Sequence, residues 1–562
     1  MAKSAKARKG GKKSAGKRSA GKKRAGKRRA SARGQATKVL ASKSSVKGKS
    51  YDPSGIEPAA RAAAPQVKRP RPARTRYPIS METFFKLKKK AETSKTGSMA
   101  KKASTIIRDK GRPTAARARA VGIAEPGVPL AKAPAAKAPT QLVSFTGIRA
   151  TGLIPPDCTL AAGPNQVLAS VNTRVALYNK STGAQVLAKS LDSWFSNVIS
   201  GAQIFDPKAL YDQHSGRWVL VALAIGPGVK DSFFLLSVSK TSDPTAGWFN
   251  YKMDATKDGN VQTNNWADFP GVGVDNQAIY LTANMFEFEG EFQYSKIRII
   301  PKAKAYANQP FTFKDIPRLK DSNGQMSFTV QPCHTFGAPD IQYFVNSLFP
   351  FTAAPAKALT LWSLKNPLTN PTLTGKKITV SPFTFPPFAA QKGNNEPLDS
   401  GDVRVLNAVY RGGSVWCALT TAHNFGPGNV AAIQWFQINA TSGTLTQQGV
   451  YGAGNSHCFY PAVMPDSNGN MIMVFSRCSP TEFASIRQTG RKSTDPLGSL
   501  QGSALFKAGT ANYVAIDSNG LNRWGDYAGI GADPSDPLRV WFYSLYAVAN
   551  NTWLTQIGAA KF

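Results

Sequence analysis

The sequence predicts an all-β fold, a seven-bladed β-propeller over residues 141–562, preceded by a long disordered basic tail over residues 1–140. Three observations lead there. Short apolar runs rich in β-branched and aromatic residues alternate with Gly, Pro, Asp and Asn turns, which is the pattern of strands. One plan recurs seven times: a small-residue strand, a tight turn, then a strongly apolar strand. Net charge is unevenly placed: residues 1–140 carry 39 Lys/Arg against 6 Asp/Glu, a net of +33, which leaves +6 of the chain's +39 for the remainder.

In the tail, Gly11-Lys12, Gly16-Lys17, Gly21-Lys22 and Gly26-Lys27 recur every five residues, a period that suits neither helix nor strand. With so few apolar side chains, nothing offsets the entropy lost on ordering, so disorder is expected. Lys12, Lys17, Arg18, Lys22, Lys23, Arg24, Lys27, Arg28 and Arg29 are the candidate polyanion-binding residues. Each phosphate they neutralise would release condensed counterions. Nucleic acid leads the expected partners, with acidic lipid, polysaccharide or acidic protein as alternatives. In composition the stretch resembles the Lys/Ala/Gly-rich tails of linker histones and bacterial histone-like proteins. Gly11–Lys17 mimics a phosphate-binding loop, but Arg18 stands where Ser or Thr is needed and no apolar strand precedes it.

Ser80–Glu92 reads as a short basic amphipathic helix with Met81, Phe84 and Phe85 on one face. Pro126, Pro129, Pro134 and Pro139 then mark a Pro/Ala linker. The N-terminus lacks an apolar core of the kind a secretory signal needs. No transmembrane segment is expected, because the longest apolar run, near Trp218–Ile225, falls short of the ~20 residues of a membrane helix. A cytoplasmic or nucleoid location is therefore expected over secretion.

The seven stretches begin near Asp157, Asp206, Phe269, Pro332, Val403, Tyr460 and Tyr527. A four-stranded blade takes roughly 40–50 residues, so the wider spacings leave room for loops. The clearest unit is Phe205–Asp254, with strands over Lys208–Tyr211, Trp218–Ala224, Phe233–Ser239 and Trp248–Met253. Small strands such as Thr159–Ala162, Gly271–Val274 and Gly529–Ala532 suit the crowded axis. Val219–Leu223 and Met471–Phe475 read as second strands buried on both faces. The chain ends in a strand, Trp553–Phe562, and the isolated run Leu142–Ile148 could complete the last blade. Six blades are the alternative if the first and last stretches share one. The five cysteines, Cys158, Cys333, Cys417, Cys458 and Cys478, form no CxxC pair and read as buried free thiols.

Asp157, Asp206, Asp268, Asp402 and Asp526 all fall just before an inner strand, so a propeller would set them around one mouth of its axial channel. Such a ring would attract a hard cation such as Ca²⁺, or a cationic ligand group. Alternatively, each Asp caps its own turn. His334 and His457, with Cys333 and Cys458, are a second candidate metal set, with a spacing unlike that of known zinc modules. The turns Asp321–Gly324, Asp466–Gly469 and Asp517–Gly520 share the sequence Asp-Ser-Asn-Gly, which hairpin geometry explains without calcium. No catalytic residues are assigned: GxSxG is absent, as is a Ser/His/Asp order. The Asp ring could supply the paired carboxylates of a glycosidase. Arg487, Arg491 and Arg523 could bind an anionic sugar or serve as ion-pair partners.

Pro155-Pro156-Asp157 with Gly163-Pro164-Asn165, Leu177-Tyr178-Asn179-Lys180, Asp206-Pro207 with Tyr211-Asp212 and Arg217-Trp218, and Tyr280–Asn284 form one set of motifs. Ser485-Ile486-Arg487, Thr489-Gly490-Arg491, Asp495–Gly498 and Arg523–Tyr527 continue it. Together they resemble a group of large bacterial β-propeller proteins, mostly uncharacterised and usually secreted. The resemblance spans nearly all of residues 141–562 and implies a propeller, without an agreed activity. The basic tail stands where that group would carry a signal peptide. The favoured functional expectation is a non-enzymatic binding scaffold, a propeller surface for a protein or glycan ligand tethered by the basic arm to nucleic acid or another polyanion. The alternatives are a glycan-binding or glycan-hydrolysing, sialidase-like propeller, and a virion or nucleoid structural component.

Overall fold

The computed structural model describes residues 138–562, apart from 229, 289, 350–354, 518–519 and 550. The tail cations from Lys12 to Arg29 and the helix expected over Ser80–Glu92 lie outside the described residues. The described chain is almost all strand, with two single-turn helices at Leu191–Trp194 and Lys302–Tyr306. None of its helices is long and apolar enough to cross a membrane.

The strands form seven four-stranded antiparallel units. Three are self-contained: Thr159–Ala162 to Gln185–Ser190, Gln203–Asp212 to Trp248–Asp254, and His457–Pro465 to Ala504–Lys507. Three more start at Asn265–Val274, Gln331–Thr335 and Asn407–Arg411, and short parallel pairings join these innermost strands to one another. The last unit runs Gly529–Ala532, Val540–Val548 and Thr552–Lys561, and takes its outermost strand, Thr140–Arg149, from the other end of the described chain. Each innermost strand touches that of the next unit, and Thr159–Ala162 touches Gly529–Ala532, so the ring is closed. This is a β-propeller. The first and last sequence stretches occupy different sheets.

The second unit shows why the sequence folds this way. Val219, Leu220, Val221, Ala222 and Leu223 are fully buried in its second strand, which has a sheet packed on each face. Trp218 ends the run under the first unit. Its indole N–H donates to Ser242 O at 2.9 Å, and Tyr211 meets it edge-on at 5.2 Å. Gly163 lies against the same ring, where a Cβ would come within 2.1 Å of Trp218. Closure is equally specific: Ser144 pairs with Gly558 and Phe145 with Ile557, and Thr555 Oγ1 donates to Ile148 O at 2.6 Å.

The repeated Asp-Ser-Asn-Gly turns are held by their own first residue. Asp321 Oδ1 accepts from the N–H groups of Asn323 and Gln325, and Asp466 Oδ1 from those of Asn468 and Asn470. Asp517 Oδ1 accepts from Leu521 N–H at 3.0 Å. Two small hairpins went unforeseen, Lys257–Asp258 with Val261–Gln262 and Ala389–Gln391 with Asn394–Leu398.

Candidate functional site

A repeated backbone kink sets up the axial end of the ring. Asp157, Asp206, Phe269, Thr329 and Tyr460 have φ between 51 and 54°, the left-handed region that non-glycine residues avoid. In three units the kink coincides with a break in strand register, between Phe205 and Lys208, Asp268 and Gly271, and Phe459 and Ala462. Bulges of this kind bend a strand and re-aim a side chain. Asp157, Asp206, Asp268, Phe269, Phe328 and Tyr460 lie at or next to these kinks.

There seven aspartates meet three cations. Asp402 is gripped by Arg404, whose Nε lies 2.8 Å from both carboxylate oxygens. Arg404 in turn stacks on Phe269 at 4.3 Å and Phe328 at 4.8 Å. Arg523 reaches Asp526 at 2.6 Å, Asp399 at 3.5 Å and Asp517 at 3.6 Å. Asp157 accepts from Asp526 N–H at 2.8 Å and from Asn172 Nδ2 at 2.7 Å, tying the first unit to the last. The Lys208 ammonium sits 2.9 Å from the centre of the Tyr527 ring. The hydrogen bonds found for these groups leave Asp206 Oδ1 and Oδ2, Asp268 Oδ1 and the Tyr460 hydroxyl buried without a partner.

Burial dominates the protonation of this cluster. It raises the carboxyls of Asp157 and Asp206 well above their ordinary range; for Asp157 the Asp526 and Asp206 carboxylates add to the effect, and for Asp206 those of Asp268 and Asp526. Asp399 is raised by burial against the pull of Arg523. Burial lifts Asp268 to about 7 although Arg404 opposes it. Burial also lowers Lys208 to about 7, against the attraction of Asp206, Asp157 and Asp526. Asp399, Asp402, Arg404, Tyr460, Arg523 and Asp526, with Phe269, Gly401, Leu406 and Thr420, line a cavity of about 30 Å³.

A stability measurement tests the protonation of Asp268. A carboxyl held at about 7 in the fold, against an ordinary value of 3.8, contributes stability that is complete below the lower value and lost as pH rises through the upper one. Asp268→Asn is therefore expected to gain on the wild type, by on the order of a few kcal/mol, between those two pH values. Urea unfolding of both proteins at a series of pH values reads the difference. A constant gap would mean that Asp268 titrates as an ordinary carboxyl.

All five aspartates singled out in the sequence lie in this cluster, but in differing roles. Asp402 Oδ1 accepts from Arg404 N–H and so caps its own turn, whereas Asp157 bonds the backbone of another unit. Among the described residues, no group of three or more His, Cys, Asp or Glu is placed to hold a metal ion. Arg404, Arg523 and Lys208 supply the positive charge that the sequence reading gave to Ca²⁺ or a cationic ligand. The second metal set does not assemble. His334 Nε2 lies 2.8 Å from Gln213 Oε1, while His457 Nδ1 accepts from Ala431 N–H, and the cysteines are free and buried. Of the three arginines considered for a sugar, Arg523 belongs to the cavity. Arg487 pairs with Glu482, and Arg491 donates to Asp495 O. Asp399, Arg404, Lys208 and Tyr460 were not foreseen as members. Their one sequence signal is proximity, since each lies within three residues of a predicted aspartate or at a predicted repeat start.

The chain matches no protein-family model and no curated protein. Among solved structures it is similar to an α-L-arabinanase of Penicillium chrysogenum complexed with arabinobiose, at 10% identity and TM-score 0.37, over 75% of this chain and 99% of that one. It is also similar to an α-L-arabinofuranosidase of Fusarium graminearum with an iminosugar inhibitor, at 6% identity and TM-score 0.34, over 76% and 98%. A Synechocystis apocarotenoid oxygenase mutant matches at 11% identity and TM-score 0.35, over 65% and 76%. The propeller assignment rests on the strand pairing described above. Against the expectation of a non-enzymatic scaffold, several of the similar structures are arabinanases or arabinofuranosidases. What those enzymes do is a property of theirs.

Proposed function

We propose that the propeller is a glycoside hydrolase acting at the mouth of the axial cavity. The observation that carries this reading is a pair of carboxyls on one guanidinium. Arg523 contacts both Asp526, at 2.6 Å, and Asp399, at 3.5 Å, and the two acids line the same cavity. Burial favours the protonated form of Asp399, whereas Asp526 is held in a close ion pair. Hydrolysis of a glycosidic bond needs that division: one carboxylic acid to protonate the leaving oxygen, and one carboxylate to activate water or attack the anomeric carbon. Asp399 takes the first role and Asp526 the second. Arg523 fixes their spacing, and Arg404 performs the same service for Asp402. The charged groups of the cluster are largely buried, which strengthens their action on a developing oxocarbenium ion.

The test is release of reducing ends from a panel of polysaccharides, including arabinan, xylan and β-glucan, by the full-length chain. Turnover is expected on at least one of them, falling about 100- to 10,000-fold in Asp399→Asn and in Asp526→Asn. Activity should also decline as pH rises above the Asp399 pKa, because the acid then loses its proton. Absence of release from every polysaccharide, or release untouched by both substitutions, would overturn the proposal.

A further inference from the structure

The cavity is too small for a sugar ring. A buried water needs roughly 10–15 Å³ of such volume, so about 30 Å³ holds two non-hydrogen groups side by side. Its walls are polar, with Asp399, Asp402, Arg404, Thr420, Arg523 and Asp526 around it, so the group admitted must itself form hydrogen bonds. Tyr460 supplies an unused one. Its residue is only 4% exposed, and its hydroxyl has no hydrogen-bond partner in the protein.

Three features hold that hydroxyl in place. The Tyr460 backbone adopts φ 53° at the bulge, and its N–H is fixed by Thr420 Oγ1 at 3.2 Å. Gly401, at φ +78°, lies so close that a Cβ would come within 2.8 Å of the Tyr460 ring. A strained residue whose ring is packed this tightly, with its polar end unpaired, is a recurrent feature of ligand sites.

We infer that the cavity is a subsite for an exocyclic hydroxymethyl arm, with Tyr460 as hydrogen-bond donor to its oxygen and the sugar ring left at the mouth. The inference rests on the cavity being a glycan site. Burial raises the Tyr460 phenol well above its ordinary range, and the neighbouring Asp526 and Asp402 carboxylates add to the effect, which keeps it protonated and able to donate. The specificity that follows is for hexopyranosides, or furanosides bearing a CH₂OH group, over sugars that end in a ring CH₂.

Methyl glucopyranoside and methyl xylopyranoside differ by that one arm and serve as probes. Their binding to the full-length protein, followed by titration calorimetry or ligand-observed NMR, is expected to favour the glucoside by about tenfold or more. Tyr460→Phe keeps the ring and should reduce glucoside affinity roughly three- to tenfold, leaving the xyloside unchanged. Equal wild-type affinity for both probes would overturn the inference while leaving the hydrolase reading intact. Binding of neither, together with no turnover of any polysaccharide, would remove both. The wild-type preference decides the matter even if the variant fails to fold.

Discussion

Arg523→Ala is expected to destabilise the propeller by about 3–5 kcal/mol, because it removes one partner from a buried charge network. Arg523 is 2% exposed and reaches Asp526, Asp399 and Asp517. Its loss leaves carboxylates without a counter-charge in a place where burial already disfavours ionisation. Most of the cost should come from those stranded acids rather than from the arginine's own packing. Acidification should therefore restore part of the loss by protonating them. Arg523→Lys should recover little, since one ammonium cannot span three carboxylates as a planar fork does. Urea unfolding at neutral and acidic pH distinguishes the outcomes. A cost under about 1 kcal/mol, typical of an exposed ion pair, would show that the network is solvated.

Gly529→Ala should come next, at roughly 1–3 kcal/mol, the usual range for overpacking. A Cβ at Gly529 would lie 2.5 Å from Leu160 N and 2.7 Å from Thr159 C. Both are backbone atoms of the first unit's inner strand, so no side-chain rotation relieves the clash and the first and last units must separate. Gly531, two residues on, is the control: its Cβ would meet Ala162 N at 3.5 Å, an ordinary contact. Gly531→Ala should fall within about 0.5 kcal/mol of the wild type. Equal effects at the two positions would mean that the seam does not transmit packing strain.

The architecture was legible because strand patterning is local. The runs Trp218–Ala224 and Phe233–Ser239 lie within the observed strands Arg217–Ile225 and Ser232–Ser239, and the inner strands Thr159–Ala162 and Gly529–Ala532 match residue for residue. Leu142–Ile148 was placed correctly because an apolar run before the first repeat has one vacancy to fill, at the edge of the last sheet. The site was less legible. Aspartates before inner strands could be counted, but Asp399 lies in a loop whose path across the axis no periodicity encodes. The left-handed residues were hidden too. Asp206, Phe269 and Tyr460 each precede proline, and nothing about their side chains calls for positive φ. The kink belongs to the ring as a whole, which presses each innermost strand against its neighbours. The protonation states were hidden for a related reason: an acid's protonation depends on burial that only the closed ring creates.

The shared last sheet also dictates an order of events during synthesis. Of the described strands, Thr140–Arg149 leaves the ribosome first and its partner, Thr552–Lys561, last, with Thr555 bonding Ile148 across 407 residues. Until then the early strand has an unpaired edge, and the units already made lack their final neighbour. Contacts this distant in sequence slow folding, although the entropy of closing so long a loop grows only with the logarithm of its length. Once formed, the junction works as a clasp. Pulling the two ends of the described chain apart loads the backbone hydrogen bonds between adjacent strands before it reaches any other sheet.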